Sequence, residues 1–229
     1  MDNSNKLVAV NASIQQWEQL YGRKPHSVEL IAVSKTRGDD EIRFLYNAGQ
    51  RCFGENYLQE ALDKIEALSD CAIEWHFIGA IQSRKAAQIA ETFDWVHSLD
   101  RLKVANKLNQ YVASDAPLNV LIQVNLEGEA SKGGVAPEQL AELAAEVDKL
   151  DNLCLRGLMF MPKMITELSM QREVFQQARK LFEDLKKSFP HIDQVSMGMS
   201  GDLQAAIAEG ATMVRVGTAL FGPRQKTNG

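Results

Sequence analysis

The run LIAVS at residues 30–34 is followed by DDEIRFLYNA at 39–48 and then by RCFG at 51–54. A short apolar, β-branched run, a longer run at helical period and another short apolar run make one βα unit. The alternation continues outward from there. Short runs recur as EWHFI at 74–78, WVHS at 95–98, NVLIQV at 119–124, LRGLMF at 155–160, QVSMG at 194–198 and MVRV at 213–216. Segments of helical period lie at 57–68, 83–91, 101–113, 137–150, 170–188 and 203–209, and an amphipathic helix at 6–20 precedes the first strand. Pro137 opens its helix at a first-turn position, where a missing N–H costs nothing. Val174, Phe175, Ala178, Leu181, Phe182 and Leu185 repeat at helical spacing. Eight strands, starting about every 26 residues, predict an α/β fold of the TIM type. The reading is one domain over 1–229, a (β/α)8 barrel at about 28–222 with an extra N-terminal helix. A doubly wound open sheet is the weaker reading, because no GxGxxG follows the first strand.

The 229 residues are 45% hydrophobic and 24% charged, an ordinary globular balance that excludes disorder as the default. Twenty-five basic against 30 acidic side chains give a net charge of −5, which argues against a general nucleic-acid or anionic-membrane binder. Cys52, Cys71 and Cys154 form no CxxC pair, so neither a disulfide framework nor a structural zinc site is expected, and a reducing compartment is. No apolar h-region follows the polar opening MDNSNK, and no apolar run approaches the ~18 residues of a membrane span. A cytoplasmic protein without membrane, nucleic-acid or metal partners is expected.

In such a barrel the chemistry sits where strands end at their C-terminal side. Lys35 directly follows LIAVS. An amine there, on an apolar stem, is desolvated toward the nucleophilic free base, the setting of a Schiff-base lysine. Position alone leaves a surface lysine open as well. The turns MGMSGD at 197–202 and RVGTALFG at 215–222 follow the seventh and eighth strands, whose loops often hold a phosphate. Ser200 there reads as the cap of the next helix and a hydroxyl donor, Gly217 as a point of close backbone approach, and Thr218 as a further donor. Arg215 stands inside an apolar strand, on the same face as Met213. It reads either as a donor to a ligand in the mouth or as half of a structural ion pair with Glu55.

Other candidates read as structural. His76 and His97 lack HxH or HExxH spacing and are expected in the core. Cys52 reads as a buried strand residue, and Met159, Phe160 and Met161 as core or ring-packing surface. Lys132, in GEASKGG at 128–134, reads as a solvated loop lysine.

LIAVSKT at 30–36, FGENYLQE at 53–60, WHFIGAIQSRK at 75–85 and VHSLDR at 96–101 together resemble the pyridoxal phosphate homeostasis protein family. So do VLIQVNLEGEASKGG, LRGLMFMP and SMGMSGDLQAAIAEGATMVRVGTALFG further on. The barrel of that family is similar to the N-terminal domain of alanine racemase. The resemblance implies that Lys35 binds pyridoxal 5′-phosphate (PLP) as a Schiff base. It also implies that Ser200, Gly217 and Thr218 hold the phosphate, that Arg215 meets the pyridine nitrogen and that Asn56 is a polar residue beside the cofactor. Gly201 departs from the polar or acidic residue more usual after GMS. An arginine at the ring nitrogen keeps it unprotonated and makes the ring a poor electron sink. The chain ends eleven residues past Thr218, with no sign of the second domain that supplies a racemase's other base. The resemblance therefore implies a carrier without catalytic residues that holds the cofactor, supplies it to PLP-dependent apo-enzymes in transient contacts, and works as a monomer in vitamin B6 homeostasis. Its effects on amino-acid and keto-acid metabolism would be indirect. A racemase-like enzyme with Lys35 as base and a cofactor-free aldolase-type barrel are the alternatives.

Overall fold

The computed structural model describes residues 3–113, 117–128 and 133–223. Its strands are β1 (Glu29–Val33), β2 (Cys52–Glu55), β3 (Glu74–Phe77), β4 (Trp95–Leu99), β5 (Leu118–Val124), β6 (Leu153–Phe160), β7 (Gln194–Ser196) and β8 (Met213–Val216). Each pairs in parallel with the next, and β8 closes on β1 with Glu29, Leu30, Ile31 and Ala32 opposite Met213, Val214, Arg215 and Val216. The expected closed (β/α)8 barrel is what forms. Nine helices accompany the strands among the described residues: α1 (Asn3–Leu20), α2 (Asp39–Asn47), α3 (Leu58–Ala67), α4 (Ala86–Thr92), α5 (Leu102–Tyr111), α6 (Leu140–Val147), α7 (Leu168–Ser188), α8 (Leu203–Ala208) and α9 (Thr218–Phe221). None is long and apolar enough to cross a membrane.

Strand alternation sorts the core into a shell and a lumen. Leu30 and Ala32 of β1, Val214 and Val216 of β8 and Phe53 of β2 face outward and pack against the helices. Ile31, Cys52, Trp95, Leu121, Met159 and Met213 face inward and fill the barrel as a separate apolar cluster. The inward positions of β3, β4, β7 and β8 also carry His76, His97, Ser196 and Arg215, all buried. Met159 is thus lumen core, as read from sequence, whereas Met161, beyond the strand end, is exposed.

Several boundaries move for local reasons. The helices expected to begin at 83 and 137 open instead as 3₁₀ turns, Ser83–Lys85 and Pro137–Gln139, before α4 and α6 start. Such turns commonly tighten a helix entrance. Strand β7 stops at Ser196, two residues early. Gly198 takes φ +95, and a Cβ there would lie 2.5 Å from the Ala206 side chain, so the chain leaves the sheet at a point only glycine fits. The single-turn helix α9 was not foreseen.

The cap of α8 is a correction to the sequence reading. The N-cap residue is Asp202, not Ser200. Its Oδ1 accepts the Met199 amide at 2.5 Å, closing the loop three residues back. Ser200 is left exposed at the tip of the loop.

Candidate functional site

The turn that carries Lys35 is pinned from below. The Ser34 amide donates to the Gly54 carbonyl at 3.0 Å, and its hydroxyl donates to Glu55 Oε1 at 2.6 Å. Lys64, buried on α3, donates to the Ser34 carbonyl and to Glu55 Oε1, each at 2.8 Å, and to Glu60 Oε1. Glu60 in turn accepts the amide of Thr36, which sits at φ +63. A β-branched residue rarely takes that conformation, and its presence beside Lys35 marks a turn held in place by its surroundings. Lys35 itself is half-buried. It continues the inward alternation of Ile31 and Val33 to the barrel mouth.

Arg215 lies on the adjoining strand, paired in register with Ile31. Only 5% of it is exposed. Its Nη1 donates to Ser196 Oγ at 2.6 Å and its Nη2 to the Phe160 carbonyl at 2.8 Å. Burial pushes the guanidinium down to about 10, partly opposed by the charge of Asp202, so it stays protonated at neutral pH. Burial raises the Asp202 carboxyl in turn. The ion pair with Glu55 does not form. Glu55 alternates with Phe53 on the helix-facing side of β2, where Ser34 and Lys64 engage it, whereas Arg215 faces the lumen. Burial raises the Glu55 carboxyl too, against the pull of Lys64.

Asn56 follows β2 with its Oδ1 buried and without a hydrogen-bond partner. Its backbone is pressed by the end of β3: a Cβ on Gly79 would fall 2.0 Å from the Asn56 carbonyl oxygen, so a side chain is excluded there. Beside it opens a cleft of about 390 Å³ whose lining includes Asn56, Tyr57, Gln82 and Lys85. On the other flank, Gly217 brings the end of β8 close to the Val33 carbonyl, 3.3 Å from where its Cβ would be, and Thr218 starts α9 in solvent. Arg37, in the loop after β1, ties the Lys35 turn to this flank, donating from Nη2 to the Gly222 carbonyl at 2.6 Å and lying over the Phe221 ring.

The structure thus places Asn56, Lys35, Gly217, Thr218, Arg215 and Ser200 at or below the C-terminal ends of four contiguous strands, β2, β1, β8 and β7. Lys132 lies outside the described residues. Sequence reading missed Lys64, whose i,i+4 spacing from Glu60 looks like any surface pair, and missed the lumen partners of Arg215.

The profile described as alanine racemase, N-terminal domain, matches residues 8–225. A pyridoxal phosphate homeostasis protein of Pseudomonas aeruginosa is 52% identical over 222 residues, covering 96% of this chain and 95% of the other. One of Vibrio alginolyticus is 50% identical over 220 residues, covering 94% of each. The chain belongs to the pyridoxal phosphate homeostasis protein family. Among solved structures, PipY of Synechococcus elongatus with PLP bound superposes with a TM-score of 0.84 at 36% identity, covering 96% of this chain and all of that one. As a member of the homeostasis family, this chain keeps the six positions its motifs point to on one side of one barrel mouth.

The residues present fit PLP. Arg215 is a buried, protonated donor in the lumen beneath the mouth, Asn56 Oδ1 is a buried acceptor with no partner, and the polar groups of Ser200 and Thr218 stand at the rim.

Proposed function

We propose that this protein binds PLP through Lys35 and serves vitamin B6 homeostasis by holding and releasing it rather than by turning over a substrate. The observation that carries the reading is Arg215: a guanidinium buried in the barrel lumen, held by two neutral acceptors, on the strand paired with the one that leads into Lys35. When bound, the cofactor supplies a reactive aldehyde, which the Lys35 amine would hold as a Schiff base. The Ser34, Glu55 and Lys64 contacts fix the turn from which that amine reaches into the mouth. Arg215 keeps its proton well above neutral pH, so it can donate a hydrogen bond to a ring nitrogen without giving that proton up. That arrangement leaves the ring a weak electron sink and supports binding over carbanion chemistry. The exposed hydroxyls of Ser200 and Thr218, with the backbone at Gly217, form a rim suited to a phosphate. Asn56 offers its unpartnered Oδ1 from β2. In this reading the chain acts as a single-domain monomer in the cytoplasm, meeting PLP-dependent apo-enzymes only in passing.

Borohydride reduction of the PLP-loaded protein, followed by mass mapping, tests the assignment. The label should fall on Lys35 and disappear in Lys35→Ala, with the barrel intact by circular dichroism. Labelling chiefly at another lysine overturns the assignment. Incubated with a panel of amino acids, the loaded protein should show negligible racemisation, decarboxylation or transamination, and it should reactivate an added apo-enzyme. Robust turnover lost in Lys35→Ala would sink the carrier reading in favour of a racemase-like enzyme.

A further inference from the structure

Behind Arg215 the lumen holds a column of polar side chains drawn from three strands. Ser196 Oγ of β7 lies 2.6 Å from Arg215 Nη1 and 2.9 Å from His97 Nδ1 of β4. His97 Nε2 lies 2.9 Å from His76 Nδ1 of β3. His76 Nε2 comes within 3.0 Å of Glu74 Oε1, a close contact short of a well-aligned hydrogen bond. Both rings and the serine are fully buried, while the Glu74 side chain reaches solvent at the opposite end of the barrel from Lys35.

We propose that Ser196, His97 and His76 form a one-way hydrogen-bond relay that positions Arg215 for the ring nitrogen of the cofactor and ties it to the Glu74 carboxylate. The inference rests on the reading of Arg215 as a cofactor-facing donor. The direction follows from donor counting. A guanidinium only donates, so Ser196 Oγ accepts from Arg215. The serine O–H then needs an acceptor, and His97 Nδ1 is the one in reach. That fixes His97 as the neutral ring with its proton on Nε2, donating to His76 Nδ1. His76 must then carry its own proton on Nε2, toward Glu74.

The reverse order would aim both His97 and Arg215 donors at the serine oxygen. It would also turn a bare His76 nitrogen toward a carboxylate oxygen at 3.0 Å. Burial, with His76 and Arg215 alongside, holds His97 well below its ordinary pKa, in keeping with a neutral ring. The contact with His76 lowers the Glu74 carboxyl, in keeping with a carboxylate at the end of the column. Every dipole in the column thus points its negative end toward the guanidinium, an arrangement that stabilises the buried cation and holds its fork still.

Long-range proton–nitrogen NMR spectra of the ¹⁵N-labelled full chain read the tautomers directly. The other two histidines, His26 and His191, are exposed, and replacing each by asparagine removes its signals from the spectrum. His76 and His97 should both appear as neutral rings protonated at Nε2. His76 protonated at Nδ1 overturns the relay. That is also the form a metal ion would impose if held by Cys52, Glu74 and His76, whose ligand atoms lie within 4.8 Å of one another.

The positioning role is read by ligand pairs. Ser196→Ala should weaken PLP by about tenfold, the loss of one hydrogen bond to a charged group. It should leave unchanged the affinity for a 1-deaza analogue, whose ring carries carbon in place of nitrogen. Ser196→Thr should restore PLP affinity. Equal losses for both ligands overturn the positioning role. Absence of PLP binding by the unaltered protein would instead count against the functional reading, and the tautomers would still test the relay.

Discussion

Two cations are buried close to the site, and their surroundings differ in kind. Lys64, beneath the Lys35 turn, meets two carboxylates and a carbonyl, so its charge is cancelled where it stands. Arg215, in the lumen, meets a hydroxyl and a carbonyl, with Asp202 acting on it only at a distance. A buried ion pair is self-sufficient and serves to fix geometry, whereas a buried cation held by neutral groups keeps part of its field for something else. On the proposed reading, the contrast separates a structural clamp from a ligand-facing donor within one barrel.

The contrast breaks first on stability. Lys64→Met strands Glu55 with one donor, and unfolding by urea should show a loss of about 3–5 kcal/mol, the usual cost of orphaning a buried partner. Arg215→Leu strands only a hydroxyl and a carbonyl and should cost about 1–3 kcal/mol, while its PLP affinity collapses. Comparable destabilisation by both variants would erase the distinction. Next comes the rim. Ser200→Ala and Thr218→Val should each weaken PLP by about 1.5–3 kcal/mol, roughly tenfold or more, and leave unphosphorylated pyridoxal little affected. If fluorescence titration shows equal losses for both ligands, these residues only shape their loops.

The smallest effect is on pH dependence. In the folded protein His97 is hemmed in by His76, Arg215, Ser196 and the Trp95 ring, with its pKa well below the ordinary value, while in the unfolded chain it binds a proton near 6.5. The unfolded state therefore holds more protons as the medium turns acid. The contribution is intact above about pH 6.5 and falls by at most about 1.4 kcal/mol per pH unit below it. His97→Gln should flatten the urea midpoint against pH by that share. An unchanged slope would mean that His97 takes up a proton within the folded barrel.

The frame was legible because a parallel barrel repeats one local pattern. Each strand was found by its short apolar run, and alternation alone put Arg215 with Met213 on one face of β8, which the closed barrel makes the lumen. What alternation says within one strand it does not say between strands. Glu55 and Arg215 both sit among apolar neighbours, and only the closed register shows that they face opposite sides of the sheet. The relay was hidden for a similar reason, since His97 and Ser196 are 99 residues apart in sequence and have no motif spacing. Ser200 was misread as a cap because serine and aspartate signal an N-cap equally well, and only the structure shows that Asp202, two residues later, starts the helix and closes the loop onto Met199.

The pairing of β8 with β1 joins the first and last strands among the described residues. Lys35 leaves the ribosome well before Arg215, which lies 180 residues further along the sequence. On the proposed reading, a growing chain therefore carries the amine over that interval without the partner that completes the binding site. Only when the final strand docks, and Arg37 latches across the join to Gly222, do the two halves of the pocket meet. If Lys35 holds the aldehyde as proposed, occupancy then certifies a finished barrel. In refolding followed by quenched borohydride trapping, the label on Lys35 should lag behind secondary structure and arrive together with closure of the β1–β8 seam.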